Sequence, residues 1–323
     1  MLVSVLLFIL GLALLIKGGD WFVDGAVNIA HRFHLPELLI GATIVSIGTT
    51  LPEVMVSSTA SFQGQGQTAY GNAIGSIICN TSLICALTLS IRPGATNKKS
   101  LIFPVVSFFT AAVFYCLIAY LFGTFNRWTG LTLLIMFVIY MFLTIRSAFK
   151  NREETIDESS DKKEQKLWLD IVLIIVGAAA IAIGAKLLVD NGTKIAEALG
   201  VPESVIALTF VALGTSLPEL VTAITSLIKG HSNLSLGNII GANLFNLVFV
   251  SGVAITIKPF ELPMEKTFLD TGISASFVVD IPIMILVMLI LTIPPLLKGK
   301  MYRWQGILLL LIYAAYCVYQ FAL

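Results

Sequence analysis

Two glutamates stand where neither helix geometry nor lipid favours them. Glu53 closes "GTTLPE" at 48–53 and Glu219 closes "GTSLPE" at 214–219, each after a proline and each inside a strongly apolar stretch. An ionised side chain at the bilayer centre costs roughly 2.5 to 3.5 kcal/mol on insertion scales, and an internal proline removes a helical hydrogen bond. Ser46, Thr49, Thr50 and Glu53 recur every three or four residues, which predicts one polar face on a helix. Ala212, Thr215, Ser216 and Glu219 repeat that spacing, and Ser76 with Asn80 and Ala242 with Asn246 form further pairs at i and i+4. The rings of Pro52 and Pro218 free backbone carbonyls around 46–49 and 212–215. Carbonyls, hydroxyls and carboxylates are hard oxygen donors that suit Ca2+ or Na+ rather than zinc or copper. Two facing carboxylates repel unless neutralised by one Ca2+, two Na+ or protons, and such rival loads are the physical basis of exchange. The structural alternative is that each glutamate pairs with a lysine or a hydroxyl.

The elements that must hold these residues are membrane helices. The chain has 323 residues, 57% of them hydrophobic and 12% charged, with a mean hydropathy of +0.93, which excludes an ordinary soluble domain. Apolar runs long enough to cross a bilayer lie near 2–30, 36–62, 69–91, 101–123, 128–146, 167–192, 203–228, 234–257, 269–293 and 304–322. The expectation is an all-α membrane protein of ten transmembrane helices. Leu2–Ile16 has no basic residue before it and no small-residue cleavage site after it, so it reads as a first helix and not as a signal peptide. Cys79, Cys85, Cys116 and Cys317 lack metal-ligand spacing and read as small packing residues.

The chain also repeats itself. At an offset of 166 residues "VDGAVNIAHRFHLPELLIGATIVSIGTTLPE" aligns without a gap on "VDNGTKIAEALGVPESVIALTFVALGTSLPE", and "GNAIGSIICN" at 71–80 falls on "GNIIGANLFN" at 237–246. One unit is five helices, an odd number, so the second must enter the membrane from the opposite side, as in the inverted repeats of secondary transporters. The first repeat is 1–149, a charged linker occupies 150–166, and the second repeat is 167–323. The loops after helices 1, 3, 5, 7 and 9 collect most of the lysines and arginines, from Arg32 and Arg92 to Lys300 and Arg303, against Arg127, Lys194, Lys258 and Lys266 on the other face. The positive-inside rule then makes the linker cytoplasmic and points both termini outward, across a cell or inner membrane.

The paired "GTTLPE" and "GTSLPE", each followed by a "GN" helix ending in asparagine, resembles the two alpha repeats of the sodium/calcium exchanger family. The resemblance is specific at about 36–90 and 202–256 and extends over the whole chain in helix number. It implies that helices 2, 3, 7 and 8 form the ion site and that helices 1 and 6 slide across the bundle to alternate access. It implies Ca2+ on Glu53, Glu219, Thr49 and Thr215, and Na+ on those residues plus Ser46, Thr50, Ser76, Asn80, Ala212, Ser216 and Asn246, with Ser46 and Ala212 offering carbonyls. Potassium-dependent members carry Asp where this chain has Asn246, which implies potassium independence. One position departs from the pattern: Ala242 stands where the second repeat of the family has serine. Water in its place, a reduced sodium stoichiometry, or protons as counter-ion each answer that loss, so Ca2+/H+ exchange is the runner-up.

A cation channel is the second class of function and would show no obligatory counter-transport. No protease, Ser/His or zinc motif supports an enzyme, and no cofactor, nucleic acid or obligatory protein partner is indicated beyond the transported Ca2+ and Na+ and the lipid bilayer. Asp24 and Asp190 match across the repeat and read as helix-end or interface residues, and Lys17, Asp20 and Lys186 as local ion pairs. Asp280, alone in an apolar run, reads as a partnered residue of a scaffold helix rather than a proton relay, and His31, His34 and His231 read as surface residues.

Overall fold

In the computed structural model of the protein, residues 2–150, 166–199, 214–264, 268 and 272–322 are described. The helical runs are α1 Leu2–Arg32, α2 Glu37–Phe62, α3 Gly66–Ile91, α4 Lys98–Phe122, α5 Arg127–Lys150, α6 Leu167–Ala198, α7 Leu217–Ile228, α8 Ser232–Ile257, α9 Ser276–Lys298 and α10 Arg303–Ala322. Among the described residues α1 to α6, α8 and α9 are long and apolar enough to cross a membrane, and α7 is a shorter apolar helix. Apolar side chains such as Leu121, Trp128 and Ile228 stand on the outside, where lipid rather than water must meet them. The protein is an integral, multi-pass membrane protein. A two-stranded antiparallel ribbon, β1 Thr124–Phe125 with β2 Phe260–Glu261, ties the α4–α5 connection to the segment after α8.

The central bundle closes on buried aromatic and aliphatic side chains, among them Phe108, Tyr115, Phe125 and Phe245. α1 and α6 form a pair beside it, running antiparallel with their backbones nearly touching. A Cβ on Gly11 would lie 2.9 Å from the Gly184 carbonyl, and one on Gly18 would lie 2.9 Å from that of Gly177. The four glycines obey the sequence offset, since Gly177 is the repeat mate of Gly11 and Gly184 that of Gly18. Each therefore touches the mate of the other, which is the contact pattern of a twofold interface. At the linker end the pair is pinned by Asp170 of α6, fully buried, which accepts hydrogen bonds from Asn28 at 3.0 Å and Arg32 at 3.3 Å.

Several helix boundaries differ from the sequence reading: α4 begins at Lys98 and not near 101, α5 runs to Lys150 and not 146, and α6 runs to Ala198 and not 192. α3 starts at Gly66 and not near 69, so the turn before it is short. α9 runs on to Lys298, past the expected end near 293, despite Pro294 and Pro295. These prolines deprive the Ile290 and Leu291 carbonyls of their donors, and the buried Gln305 amide supplies them instead, at 2.7 and 3.3 Å. Gly299 in the left-handed conformation then ends the helix. The beginning of the run expected at 269–293, and the first half of that expected at 203–228, lie outside the described residues.

Candidate functional site: a buried cage of oxygen donors

α2 enters the site through a π-helical turn, Gly41–Val45, which packs on α8 because Gly41 and Gly237 admit close backbone approach. From Ser46 the helix is α-helical and carries Pro52 in its interior, so the Gly48 carbonyl lacks its helical donor. In the second copy Gly214–Ser216 form a turn and α7 begins only at Leu217, with Pro218 in its first turn, where a missing N–H is harmless. The related hexapeptides thus take different backbones: one sits inside a helix and the other opens one.

Ser46, Thr49, Thr50 and Glu53 on α2, Ser76 and Asn80 on α3, Ser216 and Glu219 at α7, and Ala242 and Asn246 on α8 are all buried, and Thr215 is half-buried. Ala212 lies outside the described residues. Glu53 and Glu219 lie close enough for one carboxylate to act electrostatically on the other, and Thr49 stands beside Glu219. Both carboxylate oxygens of Glu53, both of Glu219, the side-chain amides of Asn80 and Asn246 and the Thr50 hydroxyl are buried without a hydrogen-bond partner. An uncompensated buried polar atom costs about 1 to 3 kcal/mol, and an ionised one more. So many on four converging helices are not explained by packing. Their donor chemistry is oxygen, with two formal negative charges, which fits a hard cation. Among the described residues no lysine pairs with either carboxylate, and the hydroxyl beside them is that of Thr49, at Glu219.

Two asparagines frame this cage. Asn72 on α3 donates to the Glu53 carbonyl at 3.1 Å and to Ser57 at 2.9 Å. Asn238 on α8 accepts from Thr49 at 3.3 Å and donates to Thr222 on α7 at 2.9 Å, while Ser46 donates to its carbonyl at 3.0 Å. They are the asparagines of the two "GN" motifs, and their recurrence at the offset of 166 was the signal that could have singled them out.

A family profile described as "Sodium/calcium exchanger protein" matches residues 3–146 and 169–322. The chain belongs to the sodium/calcium exchanger family. It is 34% identical to the sodium/calcium exchanger MaX1 of Methanosarcina acetivorans, covering 99% of both chains. It is 36% identical to an uncharacterized membrane protein of Methanocaldococcus jannaschii, over 95% of this chain and 94% of that one. Its fold matches a solved structure of the sodium-calcium exchanger NCX_Mj, soaked with 10 mM Na+ and 10 mM Sr2+, with a TM-score of 0.81, 32% identity and 97% of each chain covered. This exchanger is accordingly an ion-transporting antiporter, a member of a family of transporters.

Beyond the cage, several of the exchanger's charged residues find ordinary partners. Asp20 pairs with Lys17 at 3.9 Å but also with Lys229 at 3.3 Å, and Asp24 with Lys229 at 2.8 Å. Asp190, the repeat mate of Asp24, is exposed. His231 is more than a surface residue: its Nδ1 lies 2.7 Å from Glu37. Asp280 accepts hydrogen bonds from Tyr316 at 3.1 Å and Gln320 at 2.9 Å, so it is partnered. It also lines an open cavity of about 680 Å3 whose inner wall includes Ser76, Thr215 and Ser216.

Proposed function

We propose that this antiporter exchanges Ca2+ for Na+ across a cell or inner membrane by alternating access, without requiring K+. The observation that carries the reading is the set of buried, partnerless oxygens around Glu53 and Glu219. A pair of carboxylates that cannot stay unneutralised accepts one divalent ion or a set of monovalent ions in turn. Glu53, Glu219, Thr49 and Thr215 hold Ca2+. Na+ uses these with Ser46, Thr50, Ser76, Asn80, Ala212, Ser216 and Asn246. Asn246 in place of an acid adds no third charge, which favours independence from K+.

The reading includes ten membrane spans arranged as two inverted repeats, 1–149 and 167–323, joined by a cytoplasmic linker at 150–166, with both termini outside. The reciprocal glycine contacts of α1 and α6 support a pseudo-twofold relation between the halves. Sliding of that pair over the α2 and α7 prolines is then the motion that alternates access. Phe22 of α1 packs against Gly48 and lines a narrow crevice with Thr49, Pro52 and Pro218, so it sits where such a motion is felt.

Ca2+/H+ exchange is the second reading, and Ala242, buried where the family has a serine hydroxyl, is the residue that favours it. One experiment separates the two. Ca2+ uptake into proteoliposomes is driven by an outward Na+ gradient or by a pH gradient, in wild type, E53Q and E219Q. Uptake with Na+ alone, abolished in both variants, is expected. Uptake with the pH gradient alone selects the proton, and failure of both gradients to drive uptake, or its survival in the E53Q/E219Q double variant, refutes the exchanger.

A further inference from the structure

The turns that follow α2 and α7 are copies in backbone and differ in one charge. Gly64 and its repeat mate Gly230 both take the left-handed conformation, at φ of 78° and 87°. The Gln63 and Lys229 amides donate to the Thr59 and Thr225 carbonyls at 3.1 and 3.0 Å, and the next amide of each turn closes it at 2.9 and 3.1 Å. Each turn also meets one cation from the end of a helix in the opposite half. Arg92 donates to the Leu227 carbonyl at 3.5 Å, and its repeat mate Lys258 lies against Gly64. Those two cations balance across the repeat, and Lys229 does not. Its Nζ lies 2.8 Å from the Asp24 carboxylate, 3.3 Å from that of Asp20 and 3.2 Å from the Asp20 carbonyl, all on α1. Gly19 brings α1 that close to α7, since a Cβ there would lie 2.7 Å from the Val221 side chain and 2.8 Å from the Thr225 hydroxyl. The repeat mate of Lys229 is Gln63, and those of Asp20 and Asp24 are Lys186 and Asp190 on α6. Glutamine brings no charge to the turn, and Lys186 and Asp190, one helical turn apart, are spaced to pair along their own helix.

We propose that Lys229 is a positioning residue that biases the carrier toward the orientation seen here, by latching α1 onto α7 through Asp20 and Asp24. By the charge distribution of the loops the latch lies at the inner face. The proposal rests on the alternating-access reading. When two inverted repeats exchange conformations, each contact in one half gives way to its mate in the other, so the α1–α7 contact at Lys229 is replaced by an α6–α2 contact at Gln63. The first is held by an ion pair and the second is not. The two orientations are therefore unequal by the strength of one partly exposed pair, a factor of about two to five in their populations. None of the latch residues belongs to the cage, so the bias acts on the moving helix and not on the ions.

The mate positions report the other orientation directly. Q63C/D190C protein in proteoliposomes is oxidised with copper phenanthroline, and the peptides joined between positions 63 and 190 are quantified by mass spectrometry, with the native cysteines left in place. Adding K229M should speed that link about two- to fivefold, and adding K229R should leave its rate unchanged. With Lys229 present the rate should climb toward that of K229M as ionic strength rises from about 20 to 500 mM, while the K229M rate stays level. A link that forms at the same rate with Lys229 and with K229M, or one that K229R speeds as much as K229M does, overturns the latch and leaves alternation of the two halves standing. No link between positions 63 and 190 in any of these backgrounds overturns the latch and alternation of the halves together.

Discussion

Replacing Glu53 by glutamine should stabilise the empty protein while destroying its response to calcium. Glu53 and Glu219 are fully buried, interact electrostatically and have no hydrogen-bond donor on any of their four carboxylate oxygens. Glutamine removes one charge and brings an amide N–H2 next to the remaining carboxylate, exchanging repulsion for a charge-assisted hydrogen bond of about 1.5 to 3 kcal/mol. At about 2 °C per kcal/mol for a chain of this size, the melting temperature of ion-free E53Q should lie roughly 3 to 6 °C above that of ion-free wild type. Calcium at a hundred times its dissociation constant stabilises wild type by about 2.7 kcal/mol, near 5 °C. If losing one of two charges weakens binding about 100-fold, the same calcium concentration gives E53Q only about 0.4 kcal/mol, under 1 °C. Differential scanning fluorimetry of the detergent-solubilised protein, with chelator and then with Ca2+, reads both shifts. A melting point for ion-free E53Q below that of wild type, or a full calcium shift in the variant, would refute the claim that these carboxylates face each other without compensation.

The other expectations follow from the same geometry. N238A unlinks Thr49 from Thr222, and half-saturating Ca2+ in the uptake assay should rise about tenfold, the equivalent of about 1.4 kcal/mol. G18L and its repeat mate G184L both drive a side chain into the partner helix's backbone, and each should prevent recovery of a monodisperse protein by size-exclusion chromatography, whereas L6A on the exposed face of α1 should not. D170A breaks a buried pair and should cost about 3 kcal/mol, while K229M breaks more exposed ones and should cost less than about 1 kcal/mol, both read as thermal shifts. Replacing K+ by choline should leave Na+-driven Ca2+ uptake unchanged, because Asn246 supplies no charge for a third ion.

The sequence made the donors legible because a polar residue in a lipid-exposed apolar run has few explanations, and duplication at a fixed offset removed most of those. Helix existence was legible for the same reason, from length and hydropathy. Other features depend on contacts that no local pattern encodes. The extension of α9 past Pro294 and Pro295 requires Gln305, on the following helix, to lend its amide to two carbonyls. The framing roles of Asn72 and Asn238 require the neighbouring helices to be in place, although the asparagines themselves repeat. Lys229 looked like a loop cation and instead bridges to Asp20 and Asp24, far back on α1. Asp280 was legible as an oddity, but its position on a cavity shared with Thr215 and Ser216 comes only from the packing of α9 and α10 against α3.

The two hexapeptides carry a further argument about motion. "GTTLPE" and "GTSLPE" differ by one hydroxyl-bearing residue, so their intrinsic preferences are almost the same. Yet the first lies within continuous helix, while Gly214–Ser216 of the second form a turn and the helix begins at Leu217. Local sequence cannot choose between these backbones when nearly the same sequence adopts both. The choice must come from the surroundings, and the energy separating the two forms is within reach of packing differences. Each proline is suited to this, since it tolerates an interior position at a cost and a first-turn position at none. A segment that can pass from one form to the other moves its threonine, its freed carbonyls and its glutamate together. If the halves exchange backbones as the α1–α6 pair shifts, the donors set toward one face are traded for donors set toward the other, with the two carboxylates kept between them. The asymmetry between the repeats therefore supports alternating access more directly than their similarity does.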